Sequence, residues 1–317
     1  MAEIEAGLPF REHDNSEQSL VSIVIPTYNA GARIVDLLLS LRDQTIPHEI
    51  IVIDSSSTDV ITREKAERYG AKIFIVEKRE FNHGKTRNVA FRQAKGDIVV
   101  FLTQDAFPLD RNCIENLIKP LDDPEIVASY GRQIPYRDAR PPEQFARLFN
   151  YPDKPMVKGL QDLSQLGIKT FFFSNVCSAI KIKEFKELGE FPENIIMFED
   201  MVFAAKAILR GYKIAYTPEA KVFHSHDFSL KQRFRRYLEA GISLHNNDWL
   251  LRYATGNSEG ARFLKEEVVY LVKKGQYHWI PYILAESVAK YVGYWLGLHY
   301  SSLPCRIGKS LFSCDNV

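Results

Sequence analysis

The sequence predicts an α/β protein with a doubly wound, mainly parallel sheet and a helical C-terminal extension. Short β-branched apolar runs (VSIVIP, IIVI, KIFIV and VVFL) recur through the first third of the chain, and polar turn residues close them. Segments of helical period separate the runs, and strand, helix, strand at this spacing gives parallel pairing with right-handed crossovers. Of 317 residues, 45% are hydrophobic and 26% charged, ordinary values for a globular chain able to bury a sizeable core. A formal charge of +1 gives no general pull towards nucleic acid, so no such partner is expected and any anion must meet a local patch. Cys113, Cys177, Cys305 and Cys314 form no CxxC pair, which argues against a zinc ribbon or disulfide framework and fits a reducing cytoplasm.

In chain order, residues 1–18 read as a loose arm that lacks a basic start followed by an apolar core, so no signal peptide is expected. Residues 21–26 form a buried strand, and Thr27 to Gly31 are turn chemistry. Over 33–42 the apolar Ile34, Leu37, Leu38 and Leu41 recur at three- and four-residue intervals, which gives a helix with one buried face. Residues 50–53 are the next strand, closed by the DSSSTD loop and helix cap at 54–59. A charged helix over 62–69 ends at Gly70, residues 72–76 make a third strand, and 86–94 a further helix. The run VVFL from Val99 then stops at a polar tip carrying Asp105. Beyond it the pattern predicts a helix over 110–120, a mobile loop over 137–158 and a strand-like run over 171–180. A helix opened by Phe198, Glu199 and Asp200 and a short strand over 216–226 follow.

Three polar tips therefore lie at successive strand ends: 27–29, 54–57 and 103–105. Parallel strands share a direction, so these tips open on one edge. Hydroxyls and amides with two carboxylates suit a nucleobase, a ribose and a metal, whereas no GxGxxG follows the first strand. A turn former is the plainer reading of Asp105. Gly84-Lys85-Thr86 is not a P-loop, because that loop needs a glycine where Arg79 stands. Lys85 and Arg87 at a helix start favour an anion, or are a solvated basic turn. Glu199 and Asp200 are stabilised by the helix dipole, and a carboxylate ionised at a cleft mouth also suits a general base. His224 and His226 alternate along a strand and share one side, as metal ligands or as an ordinary pair. A metal-dependent hydrolase of the HxHxDH type would need aspartate, followed by histidine, where Phe228 follows Asp227.

PTYN at 26–29, IDSSSTD at 53–59, FNHGKTRN at 81–88, LTQDAFP at 102–108, FED at 198–200 and VFHSHDFSL at 222–230 stand in one order. In that order the chain resembles family 2 glycosyltransferases, and its FNHG, QDA and HSH elements resemble the bacterial rhamnosyltransferase branch, over residues 20–240. The resemblance implies a GT-A fold and inverting transfer of a sugar, L-rhamnose from dTDP-L-rhamnose, to a glycan or lipid-linked glycan acceptor of a bacterial surface polysaccharide. A UDP-hexose or UDP-N-acetylhexosamine donor is the alternative within the class. A metal-dependent hydrolase and a non-catalytic sugar-nucleotide-binding subunit are alternatives outside it.

By position, the resemblance puts Pro26, Thr27, Tyr28, Asn29, Asp54, Ser56, His83, Gly84, Arg87, Thr103 and Gln104 at the nucleotide-sugar. Asp105 takes the last acid's place in a DxD motif that holds Mg²⁺ or Mn²⁺, while Thr103 stands where the first acid belongs. His224 and then His226 are implied as further metal ligands, and Asp200 as the base with Glu199 beside it. The implied organisation is an arm (1–18), a catalytic domain (19–240, with a nucleotide-binding half to 108 and an acceptor-binding half from 109) and a helical region (241–317). The basic run at 231–237 suits a pyrophosphate-linked acceptor or anionic headgroups. The aromatic stretch at 277–300 is too interrupted by Glu286 and Lys290 to span a bilayer. It is expected to be either an interfacial helix at the inner face of the cell membrane or a core or homodimer helix.

Overall fold

A computed structural model describes residues 20–254 and 258–302; the predicted arm, Cys305 and Cys314 lie outside the described residues. The first half alternates β1 (Val21–Thr27), α1 (Arg33–Arg42), β2 (His48–Asp54), α2 (Val60–Arg68), β3 (Lys72–Ile75), α3 (His83–Phe91) and β4 (Ile98–Leu102). β1 pairs in parallel with both β2 and β4, and β2 with β3, as the repeat of apolar runs predicts. α1 buries Ile34, Leu37, Leu38 and Leu41 against the sheet. Each such side chain contributes about 1.5–3 kcal/mol on full burial, so the spacing alone fixes which way the helix faces. α2 is capped by Asp59, whose carboxylate accepts from Thr62 N, and α3 by Asn82, whose side chain accepts from the N–H groups of Gly84 and Lys85.

The second half contains β5 (Phe107–Pro108), α4 (Cys113–Ile118), β6 (Ile126–Ile134), α5 (Pro141–Asn150), β7 (Met156–Lys158) and α6 (Leu163–Leu166). It continues with β8 (Cys177–Lys181), α7 (Ile182–Glu187), α8 (Glu199–Leu209) and β9 (Lys213–Phe223). The strand order is β3-β2-β1-β4-β8-β6-β9-β5, with β7 on β9. The sheet is therefore mixed rather than mainly parallel. β8 enters antiparallel between β4 and β6, and β5 and β7 both pair antiparallel with β9.

Three further expectations need correction. The stretch 137–158 is not one loop: it holds α5 and β7, and two of its four prolines, Pro141 and Pro142, sit in the first turn of α5, where a missing N–H costs nothing, while Pro152 and Pro155 lie in the short connection to β7. The apolar run at 171–180 is a strand only from Cys177, because Phe171 and Phe173 point into the core as the chain turns. The last strand starts earlier than expected, at Lys213, and stops at Phe223, just before the histidines.

Two apolar layers cover the sheet faces. One is rich in phenylalanine: Phe185 packs edge-on against Phe91 and Phe191, each with ring centres 4.7 Å away, and against Phe203 at 5.2 Å. The C-terminal region adds α9 (Leu230–His245), α10 (Ser258–Lys273) and α11 (Ile280–Leu298). α9 spans position 240. It packs on α11 at very short range, because a Cβ on Gly297 would lie 2.2 Å from the Leu238 carbonyl oxygen and one on Gly241 2.4 Å from that of Tyr294. No helix of the described residues is long and apolar enough to cross a membrane.

Candidate active site

The tips of β1, β2 and β4 meet as the parallel pairing requires. Thr27 lies opposite Asp54 in register, and its hydroxyl is 3.3 Å from Asp54 Oδ1. A fully buried carboxylate is costly unless its oxygens are partnered. Ser57 N donates to Asp54 Oδ2 at 2.9 Å, the Ser57 hydroxyl donates to Oδ1, and Arg63 Nε is 3.7 Å from Oδ2. Tyr28 and Gln104 clasp each other: Tyr28 N donates to Oε1 at 2.8 Å and Nε2 donates to the Tyr28 carbonyl at 3.2 Å. Lys78 Nζ sits 4.8 Å above the Tyr28 ring and donates to its hydroxyl at 3.0 Å.

Other residues of these motifs serve the protein's own framework. Asn29, at φ 49°, accepts from Thr58 N at 2.8 Å, and the Ser56 hydroxyl donates to the Val76 carbonyl at 2.9 Å. Pro26 lies within β1 opposite Ile53. Gly84 packs against the chain at Pro192, where a Cβ would come within 2.1 Å of the carbonyl oxygen.

The tip of β4 and the end of β9 bring Asp105, His224 and His226 together. His224 Nε2 is 3.6 Å from Asp105 Oδ1, His226 Nε2 is 3.1 Å from Oδ2, and the two Nε2 atoms are 3.1 Å apart. Burial works to raise the Asp105 pKa, but the hydrogen bond from His226 and the nearby imidazoles outweigh it and hold the carboxyl far below its usual range. Burial pushes the His224 pKa down to about 3. One carboxylate oxygen and two imidazole nitrogens within 4.8 Å of one another fit a divalent ion. Thr103 Oγ1, two residues before Asp105, is buried, and its hydroxyl adds to the groups that hold the Asp105 carboxyl down.

The second acidic focus opens α8. Phe198 enters the helix at φ 72°, a conformation L-residues rarely adopt, and Glu199 and Asp200 follow in the first turn. Glu199 is buried and paired: its Oε1 accepts from Arg87 Nη1 at 3.0 Å and from Asn175 Nδ2 at 3.3 Å. Arg87, 5% exposed, also donates to the His83 carbonyl at 3.1 Å. Asp200 accepts from Asn175 N at 3.2 Å and from Met201 N at 2.8 Å. Burial, with the Glu199 charge beside it, raises its pKa to about 7. His83 is pushed down, first by burial and then by Arg87.

One loop joins the two foci: Asn175 N donates to Asp200, while the next carbonyl, Val176, accepts from Thr103 N at 3.2 Å. Sequence reasoning missed Asn175, Lys78, Gln133, Glu143 and Arg147. None stands in a quoted motif, and only Lys78, three residues before FNHG, was near enough to invite attention. A surface groove lined by Asp97, Ile98, Lys181 and Glu184 opens at the amino end of β4, away from these tips, and gathers none of the predicted site residues.

Nucleotide-side tips, a divalent-ion donor set and a carboxylate poised near neutrality stand together on one sheet edge. Residues 22–189 match the profile of glycosyl transferase family 2. The chain belongs to that family. This glycosyltransferase is 42% identical over 292 residues to the O-antigen chain rhamnosyltransferase RfbN of Salmonella typhimurium, covering 90% of this chain and 93% of that protein. It is 44% identical over 292 residues to WbaN of Salmonella anatum, likewise an O-antigen chain rhamnosyltransferase, covering 90% and 92%.

Among solved structures, the mannosyltransferase PcManGT of Pyrobaculum calidifontis, in complex with GDP-Man and Mn²⁺, is similar with a TM-score of 0.56. That likeness covers 92% of this chain and 78% of that one at 22% identity. Staphylococcus aureus TarS 1-349, in complex with UDP-GlcNAc, is similar with a TM-score of 0.52 over 89% and 91% at 18% identity. The glycosyltransferase has the GT-A fold with a mixed sheet.

Proposed function

We propose that the enzyme transfers L-rhamnose from dTDP-L-rhamnose, with inversion, to a lipid-linked glycan acceptor in the assembly of a bacterial surface polysaccharide. The observation that carries the donor is near full-length identity of 42–44% to two O-antigen chain rhamnosyltransferases. The chemistry follows from the two acidic foci. An acceptor hydroxyl is barely ionised at neutral pH, so Asp200 takes its proton as the acceptor oxygen bonds to the anomeric carbon. The bond from that carbon to the diphosphate breaks in the same displacement, and dTDP leaves with the electron pair. A single in-line step inverts the anomeric centre and needs no covalent nucleophile.

Each framework group has a place in this reading. Thr27, Tyr28, Asp54 and Gln104 line the nucleoside side, with Lys78 adding a cation there. Arg87 neutralises Glu199 and holds it beside Asp200, while His83 at the start of α3 faces the diphosphate side. Asp105, His224 and His226 would hold the divalent ion. When bound, the ion stabilises charge growing on the leaving diphosphate. Two imidazoles in the donor set favour Mn²⁺ over Mg²⁺, which prefers oxygen ligands.

The enzyme works at the cytoplasmic face of the cell membrane, with α11 against the lipid. The exposed large hydrophobics of α11 (Leu284, Val288, Tyr291, Val292, Trp295) form a stripe, while both its charged residues, Glu286 and Lys290, turn inward and pair at 2.8 Å. Exposed Lys273, the last residue of α10, and Lys274, which follows it, would favour anionic headgroups.

The test is release of nucleoside diphosphate from a panel of sugar nucleotides with Mn²⁺ or Mg²⁺ and a membrane lipid extract, repeated with protein bound to or washed from anionic vesicles. The reading expects turnover of dTDP-rhamnose that requires the extract. Acceptor-independent cleavage would favour a hydrolase, and preferred turnover of a UDP-sugar would overturn the donor.

A further inference from the structure

Gln133 lies in β6, only 2% exposed, and every polar position of its side chain is used. Its Nε2 donates to the Tyr151 hydroxyl at 2.6 Å and to the Ser174 hydroxyl at 3.0 Å. Its Oε1 meets Arg147 Nη1 on one side and His224 Nδ1, at 2.9 Å, on the other. Arg147 decides which way this amide faces. A guanidinium can only donate, so the amide atom against it must be the oxygen. That oxygen can only accept from His224, which puts the imidazole hydrogen on Nδ1 and leaves a bare lone pair on Nε2. Nε2 is the atom that faces Asp105.

The orienting group is itself held. Arg147 Nε donates to Glu143 Oε1 at 2.8 Å, and Arg233 Nη2 donates to Glu143 Oε2 at 2.8 Å, so the carboxylate is pinned although 3% exposed. Glu143 Oε1 also accepts the backbone N–H of His226 at 3.3 Å. One helix, α5, therefore orients both imidazoles: His224 through Arg147 and Gln133, and His226 through its own main chain.

We propose that Gln133, oriented by Arg147, is a positioning residue that locks His224 in the Nδ1–H tautomer and so presents Nε2 to a divalent metal ion shared with Asp105 and His226. The proposal rests on the metal-site reading above and adds the group that prepares the ligand. Outer partners of ligating histidines are worth about 10- to 100-fold in metal affinity.

Two readouts test it. Long-range ¹H–¹⁵N correlation on metal-free, ¹⁵N-histidine-labelled protein reports the tautomer. His224 is expected as Nδ1–H in the wild type and in Gln133→Glu, whose carboxylate still accepts from both neighbours, and as a tautomer mixture in Gln133→Leu. Mn²⁺ affinity, from the free-ion electron paramagnetic resonance signal, is expected to weaken about 10- to 100-fold in Gln133→Leu and to return to within about threefold of wild type in Gln133→Glu.

Arg147→Met keeps Gln133 and removes the donor that orients it, along with the Arg147 bonds to Glu143, which Arg233 still holds, so it is expected to mix the tautomers too, even if Gln133→Leu fails to fold. Nε2–H on His224 in the wild type, or equal loss of Mn²⁺ affinity in both Gln133 variants, would overturn the proposal. Absence of Mn²⁺ binding in a wild type that shows Nδ1–H would instead overturn the metal-site reading, and the tautomer signal tells the two failures apart.

Discussion

Asp105, in the loop after β4, and Asp200, in the first turn of α8, are both aspartates, yet their surroundings drive them in opposite directions. Asp105 faces two imidazoles and is held far below the ordinary carboxylate range; Asp200 sits beside another acid and is raised to about 7. Burial works to raise both, so the neighbours decide the difference. A carboxylate that stays ionised under all working conditions suits the metal side, and one that exchanges a proton near neutral pH suits the acceptor side. Environments that push two like groups apart in this way are how a single fold separates an electrostatic role from an acid–base role.

The largest expected effect is on turnover. Asp200→Asn keeps the shape and removes the base, so kcat should fall by about 10³-fold or more while dTDP-rhamnose binding, measured by calorimetry, changes little. Next comes the pH profile. The base form of Asp200 populates as pH rises through about 7, so kcat/KM should climb on an acid limb centred there. Glu199→Gln removes the neighbouring negative charge and should shift that limb to lower pH by about one unit.

Stability should run the other way. Between pH near 4 and about 7 the folded chain retains an Asp200 proton that the unfolded chain has already released, so stability falls as pH rises through that window. Asp200→Asn should therefore raise the melting temperature at pH 8, by the equivalent of about 1–3 kcal/mol, and do little at pH 4. Thermal melts at both values separate this from a general packing effect. The smallest change is expected of Asn175→Ala. Asp200 is held by the backbone N–H at that position, so what is lost is the 3.3 Å contact to Glu199 and the bond that Asn175 Oδ1 accepts from the Ser178 hydroxyl at 3.0 Å, and kcat/KM should drop by less than about fivefold.

The two regions also differ in how far they were legible. β1 to β4 are local strand–helix repeats, and α1 alone shows why they could be read: Ile34, Leu37, Leu38 and Leu41 mark its buried face without any distant information. Asp54, Asp105, Glu199, Asp200 and the histidines each had an ordinary local reading, and it was their order within the motifs of the family resemblance that singled them out. The pairing of β8 could not be read, since nothing in CSAIK announces an antiparallel entry between β4 and β6. α5 was hidden by its two leading prolines, and with it went Glu143 and Arg147. Gln133 and Asn175 are ordinary polar residues whose partners lie 91 and 24 positions away; contacts of that range are created by topology, not by local pattern.

The division of labour between the two carboxylates is tested most directly by titrating Mn²⁺ into wild type, Asp200→Asn and Asp105→Asn, with dTDP-rhamnose turnover measured on the same samples. The account predicts that Asp200→Asn binds Mn²⁺ as the wild type does and is inactive, while Asp105→Asn loses the ion. Loss of Mn²⁺ in Asp200→Asn, or full turnover by it, would contradict the account.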